Sequence, residues 1–136
     1  MSRDYSELEI LIGYSFNDKN HLDIAFTHKS YTNENLVKKH QSYERYEYLG
    51  DAILEFVTSK YLYDNYKKLK EGEMTKVRAT VVCEESLYKV ALKHNFSDFL
   101  IIGKSEKACH GNTKPAILAD SVEAVIAAIF LDSDLE

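Results

Sequence analysis

The segment from Ala116 to Leu131 constrains the fold more than any other part of the chain. It is apolar nearly all the way round, so as a helix it has no face to offer water and must lie at the centre of the molecule. Yet it carries Asp120 and Glu123, one helical turn apart. A buried carboxylate without a partner costs several kcal/mol even after relaxation, so the pair requires a cation, strong hydrogen-bond donors or a wet cleft. An ion pair with Arg45 or Arg78 is one solution, and a metal site is the other.

The remaining pattern is helical as well. Five Gly and one Pro in 136 residues leave little punctuation for a multi-stranded sheet, and apolar residues recur at helical spacing, which predicts an all-α domain. Residues 4–13 and 18–27 read as two short helices, the second capped by Asn17. A polar stretch from Lys29 to Ser42 reads as a loop, and a long helix runs from Tyr43 to about Tyr66, interrupted only by Gly50. Two more helices are expected over Glu73–Cys83 and Glu84–His94, then a loop around Gly103–Lys114 that leads through Pro115 into the central helix. No internal repeat or low-complexity tract is present.

The long helix brings carboxylates of its own. Glu44, Glu47 and Asp51 fall at i, i+3 and i+7, on one face within two turns. With 22 acidic residues in the chain that spacing alone is weak, and its weight comes from the apolar helix that carries the second pair. If the two helices pack side by side, Glu47, Asp51, Asp120 and Glu123 converge into an all-oxygen cluster of the kind magnesium or manganese prefers. Four carboxylates balance two such ions, and a two-metal centre suits phosphodiester hydrolysis. Loading would move the formal net charge from -5 to about -1, easing the approach of a polyanion. A di-iron bundle also gathers carboxylates between helices, but it needs Glu-x-x-His pairs, and none occurs. The five histidines are scattered and read as solvated or hydrogen-bonded structural groups.

Composition sets bounds on the rest. A net charge of -5 argues against a broad basic nucleic-acid-binding face. Cys83 and Cys109 lack partners at metal-ligand spacing and read as buried or idle thiols. The N-terminus has no apolar signal core and no run is long and apolar enough to span a bilayer, so a soluble cytoplasmic protein without a membrane partner is expected.

The strings themselves resemble a known family. ERYEYLGDAILEF at 44–56 is similar to the signature of the ribonuclease III endonuclease domain, commonly written NERLEFLGDAVL, and FTHKS at 26–30, EGEMTKVRA at 71–79 and ILADSVEAVIAAIFLD at 117–132 resemble further blocks of that family in order. The resemblance implies an all-helical bundle spanning 1–136 that forms a symmetric homodimer and cleaves double-stranded RNA with Mg2+, for which Mn2+ can substitute. It implies 5'-phosphate and 3'-hydroxyl ends with short 3' overhangs, and a role in processing ribosomal and other RNAs. Glu47, Asp51, Asp120 and Glu123 match the metal-binding set, with Asp51 and Glu123 central to catalysis. Glu44 and Glu71 match acidic positions along the substrate cleft, and Tyr48 matches an aromatic that enters a pocket of the partner subunit.

Tyr43, Tyr46 and Tyr48 depart from the usual Asn, Leu and Phe, which bears on packing at the dimer interface and leaves every carboxylate in place. Family members usually continue into a double-stranded RNA-binding domain, which is absent from this chain. Lys38, Lys39, Lys67, Lys68, Lys70, Lys104 and Lys107 are candidate phosphate contacts. A catalytically silent RNA-binding relative of the same fold is the alternative, although such relatives usually lose acidic residues and here all six are present.

Overall fold

A computed structural model describes residues 3–35 and 41–133. Eight α-helices order them: α1 Ser6–Ile12, α2 Asn20–Ala25, α3 Lys29–Glu34, α4 Glu44–Asn65, α5 Glu71–Val81, α6 Glu84–Lys93, α7 Lys104–Ala108 and α8 Pro115–Asp132. Two single 3-10 turns, Phe96–Phe99 and Gly111–Thr113, complete the path, and no strand occurs among the described residues. No helix is long and apolar enough to cross a membrane.

The apolar segment takes the central place its composition demands. Helix α8 begins at Pro115, whose fixed φ and missing N–H suit a first helical position, and buries Ile117, Leu118, Ala119, Ser121, Val122, Ala124, Val125, Ala127 and Ala128. Helix α4 packs along one side of it, α6 along another, and α2 against a third. Four alanines among those positions let neighbouring backbones approach closely.

The closest approach lies at Gly50. A Cβ there would overlap the backbone carbonyl of Glu123 outright, so only glycine allows α4 to lie where it does. Exposed glycine in mid-helix costs about 1 kcal/mol relative to alanine, and direct main-chain contact with α8 explains its presence.

A second layer closes the end of the bundle with aromatic rings. Phe26 meets Phe96 edge-on at 5.3 Å between centroids, and Tyr5 and Phe99 flank the pair. The chain segments that carry these rings are stitched by a parallel bridge between Thr27 and Ile101, in which the Ile101 amide donates to Phe26 O at 2.8 Å and the His28 amide to Ile101 O at 2.9 Å.

Four expectations shift. Helix α2 is shorter than predicted and Asn17 does not cap it. The Asp18 carboxylate accepts from the Asn20 amide instead, at 3.0 Å, while the Asn17 amide donates to Asp132 at 2.8 Å and helps tie the N-terminal region to the end of α8. Helix α5 starts two residues early, at Glu71, because Glu73 accepts from the Lys70 amide at 3.2 Å. The stretches predicted as loops each contain a helix, α3 and α7. Neither has apolar periodicity, and each depends on the other: Glu34 at the end of α3 accepts from the Lys104 and Ser105 amides at the start of α7, at 2.8 and 3.2 Å. Lys38 and Lys39 lie outside the described residues.

Candidate metal centre

The crossing of α4 and α8 assembles the carboxylates. Glu47, Asp120 and Glu123 each offer a carboxylate oxygen, and the three oxygens lie within 4.8 Å of one another. Asp51, one turn beyond Glu47, is exposed and stands apart from that trio, but its carboxyl is within hydrogen-bonding reach of Glu123. The structure therefore gathers three of the four predicted ligands tightly and places the fourth at the edge. Gly50, between Glu47 and Asp51, presses on the backbone of Glu123 and sets the distance between the two pairs.

The electrostatics record the crowding. Burial, followed by the charges of Asp120, Glu44 and Asp51, pushes the Glu47 carboxyl up to about 7. Burial together with the hydrogen bond and charge shared with Asp51 raises Glu123 well above the ordinary carboxylate range. Asp120 is raised by burial and by Glu84, against which the Tyr43 hydroxyl acts by donating to Asp120 Oδ2 at 3.5 Å. A group of acids held this close favours either protons or a cation.

Neither arginine supplies that cation. The Arg78 Nε lies 3.5 Å from Glu55 and its guanidinium also donates to Ser59 at 2.9 Å, and no ion pair to Asp120 or Glu123 occurs among the described residues. Glu55, on the flank of α4, is thus a structural partner of α5. The oxygen-only donor set, its closeness and, among the described residues, its lack of an ion pair to arginine or lysine all fit a hard divalent ion.

Beside the trio opens a cleft of about 320 Å³, lined by His28, Lys29, Tyr43, Glu44, Glu47, Ile117 and Asp120. Glu44 is among the residues that line this cleft. Glu71 does not reach this cleft, because it sits at the start of α5 over a separate cavity with Ser59, Met74 and Arg78. Tyr48 is 82% exposed on α4, next to the carboxylates and unsupported by any core packing.

Sequence reasoning passed over His28, Lys29 and Tyr43 as lining groups. His28 is buried, its ring accepting from the Ser30 amide at 3.1 Å and lying edge-on to Tyr43 at 5.6 Å, and burial holds its pKa low. The usable signal was the FTHKS block, whose distance in sequence from α4 and α8 hid its place beside them. His21 and His94 are hydrogen-bonded to Tyr46 and to the Val90 carbonyl, each at 2.8 Å. Cys83 and Cys109 are free and exposed.

Residues 18–136 match the family profile described as Ribonuclease-III-like. The chain belongs to the ribonuclease-III-like family. Among its relatives, Ribonuclease 3 of Bacillus cereus (strain AH187) is 47% identical over 125 residues, covering 92% of this chain and 51% of the relative, and Ribonuclease 3 of Bacillus anthracis (strain CDC 684 / NRRL 3495) matches to the same extent. The chain thus spans about half the length of these curated relatives. Two solved structures of the nuclease domain of ribonuclease III from Campylobacter jejuni superpose with TM-scores of 0.88 and 0.87 at 41% and 40% identity. They cover 96% and 97% of this chain, which covers 87% and 86% of theirs, and the first is described as showing structural flexibility in a region involved in dimer formation. The ribonuclease-III-like fold is therefore the frame in which the α4–α8 cluster is to be understood.

Proposed function

We propose that this chain is a divalent-metal-dependent endonuclease domain that cleaves double-stranded RNA as a homodimer. The observation that carries the reading is the convergence of Glu47, Asp120 and Glu123 within 4.8 Å with no ion pair to a side-chain cation among the described residues, in a chain of this family. Glu47, Asp120 and Glu123 would hold the ion, with Asp51 joining from α4 through its link to Glu123. When bound, magnesium, or manganese in its place, supplies an activated water and stabilises charge on the leaving oxygen. Tyr43 holds one oxygen of Asp120, and Gly50 keeps the two helices at a fixed separation.

A second copy completes the cleft in this reading. Glu71 lies over its own cavity within one protomer, so a role in the same cleft as Glu44 requires it to come from the partner. Helix α4 offers the surface for that partner, with Tyr48, Phe56, Val57, Tyr61 and Tyr63 all exposed. With one cleft per protomer, each subunit cuts one strand, leaving 5'-phosphate and 3'-hydroxyl ends with short 3' overhangs. The duplex is recognised by its A-form shape and 2'-hydroxyls rather than by base edges. Processing of ribosomal and other RNAs in the cytoplasm follows as the setting of this activity.

The test is cleavage of a labelled long RNA duplex at low salt, with magnesium and with chelator, beside single-stranded RNA, a DNA duplex and Glu123→Ala. Cutting of the RNA duplex alone, dependent on magnesium and lost in the variant, supports the reading. Absence of cutting with magnesium or manganese at high protein concentration overturns it in favour of a silent RNA-binding relative.

A further inference from the structure

One cation stands at the carboxylate cleft without a carboxylate of its own. Lys29 lines the cleft together with Glu44, Glu47 and Asp120, is exposed, and enters no ion pair among the described residues. Its positive charge reaches Glu47 and Asp120, where it opposes in small part the rise that burial imposes on both carboxyls. What sets Lys29 apart is its place: it stands in a cleft with three carboxylates, Glu44, Glu47 and Asp120, and pairs with none of them.

The main chain beneath Lys29 is pinned on both sides. The His28 amide donates to Ile101 O at 2.9 Å, the Thr32 hydroxyl donates to the Lys29 carbonyl at 2.9 Å, and Ser30 Oγ accepts from the Gly103 amide at 2.8 Å. Its Cα is therefore fixed against the Ile101–Gly103 segment, while the four-carbon stem leaves the ammonium free to meet something in the cleft. In the metal-free protein the acids attract it. Once divalent ions balance the acids, that attraction lapses and Lys29 becomes an uncompensated cation facing the space into which a polyanion must come.

We propose that Lys29 is a substrate-binding residue of the cleft, its ammonium gripping a non-bridging oxygen of an RNA backbone phosphate beside the metal cluster. The inference rests on the reading of the domain as an RNA-duplex endonuclease. It assigns Lys29 a contact with substrate that carries no sequence information, so its loss weakens all duplexes alike. An ammonium acts here as a point charge, and arginine is long enough to replace it.

The experiment compares native protein, Lys29→Gln and Lys29→Arg on two RNA duplexes of unrelated sequence, with magnesium, over a series of salt concentrations. Lys29→Gln is expected to raise KM about tenfold on both duplexes, a larger effect than any on kcat, and to reduce the slope of log KM against log salt by about one for each cleft engaged. Lys29→Arg restores most of both. Magnesium-induced thermal stabilisation of each variant shows whether the cluster is intact: a lysine that merely balances the acids would, when replaced, tighten magnesium binding and leave the salt slope at its native value, and that result overturns the inference. Native protein that cuts and a Lys29→Gln variant that cuts with the same KM and slope also overturn it, while leaving the endonuclease reading in place. Native protein that neither binds nor cuts either duplex overturns both.

Discussion

Replacing Gly50 by alanine separates two opposite expectations. In an exposed helix the change would stabilise by about 1 kcal/mol, because alanine has the higher helix propensity. Here the new methyl group falls on the carbonyl of Glu123, and main chain cannot rotate out of the way as a side chain does. Overpacking by one methyl costs roughly 1–3 kcal/mol, and a rigid neighbour places this case toward the upper end. Subtracting the propensity gain leaves a net loss of about 1–2 kcal/mol, or a fall in melting temperature of about 4–8 °C for a domain of this size. The second effect is on the site. Forcing α4 away from α8 moves Glu47 and Asp51 relative to Asp120 and Glu123, so magnesium should stabilise Gly50→Ala far less than the native protein. Thermal melts with and without magnesium measure both effects. A variant that melts at or above the native temperature and keeps the full magnesium increment refutes the contact and the role assigned to it.

Three further outcomes follow from the same geometry. The Glu47 carboxyl, at about 7 in the folded chain against 4.5 in the unfolded one, binds more protons when folded between those values, so its contribution makes metal-free stability fall as pH rises from about 4.5 to about 7; the melting temperature of the native protein relative to Glu47→Gln should decline across that window, and a flat difference counts against the crowding. Glu34→Ala removes the acceptor for two amides at the start of α7 and should cost about 1 kcal/mol by urea denaturation, with increased hydrogen exchange at Lys104 and Ser105, whereas unchanged protection there would show that α7 is held by other contacts. Tyr48→Ala should leave the melting temperature of dilute protein nearly unchanged, since the ring is 82% exposed, but should weaken self-association in sedimentation, and equal association in both proteins removes Tyr48 from the interface.

What could be read from the sequence was set by where the information is local. Helix α8 announces itself because its burial is written in every residue, and the two acids that break the pattern mark the site. Helix α4 follows from its apolar spacing, and the reason for Gly50 could be guessed but not its partner, because a Glu123 carbonyl leaves no mark in sequence. Helices α3 and α7 were missed for the opposite reason: they are polar, short and stabilised by Glu34 reaching across the chain to Lys104 and Ser105, a contact that no periodicity encodes. The same holds for Lys29, which meets the carboxylates only because the Thr27–Ile101 bridge brings its segment beside α8. Asp51 looked equal to Glu47 on a helical wheel, but one more turn carries it to the exposed rim.

The contact between Gly50 and Glu123 makes the spacing of the acids a property of two backbones rather than of rotamers. The pocket is consequently tolerant of small core changes that leave the helices in register, and intolerant of sliding. A slip of α4 along α8 by a single residue is about 1.5 Å, a small adjustment for an apolar interface but a large one for oxygens that must share an ion. Variants distributed along that seam would therefore lose their cation while still folded, so that an intact circular dichroism spectrum would be no guide to an intact centre.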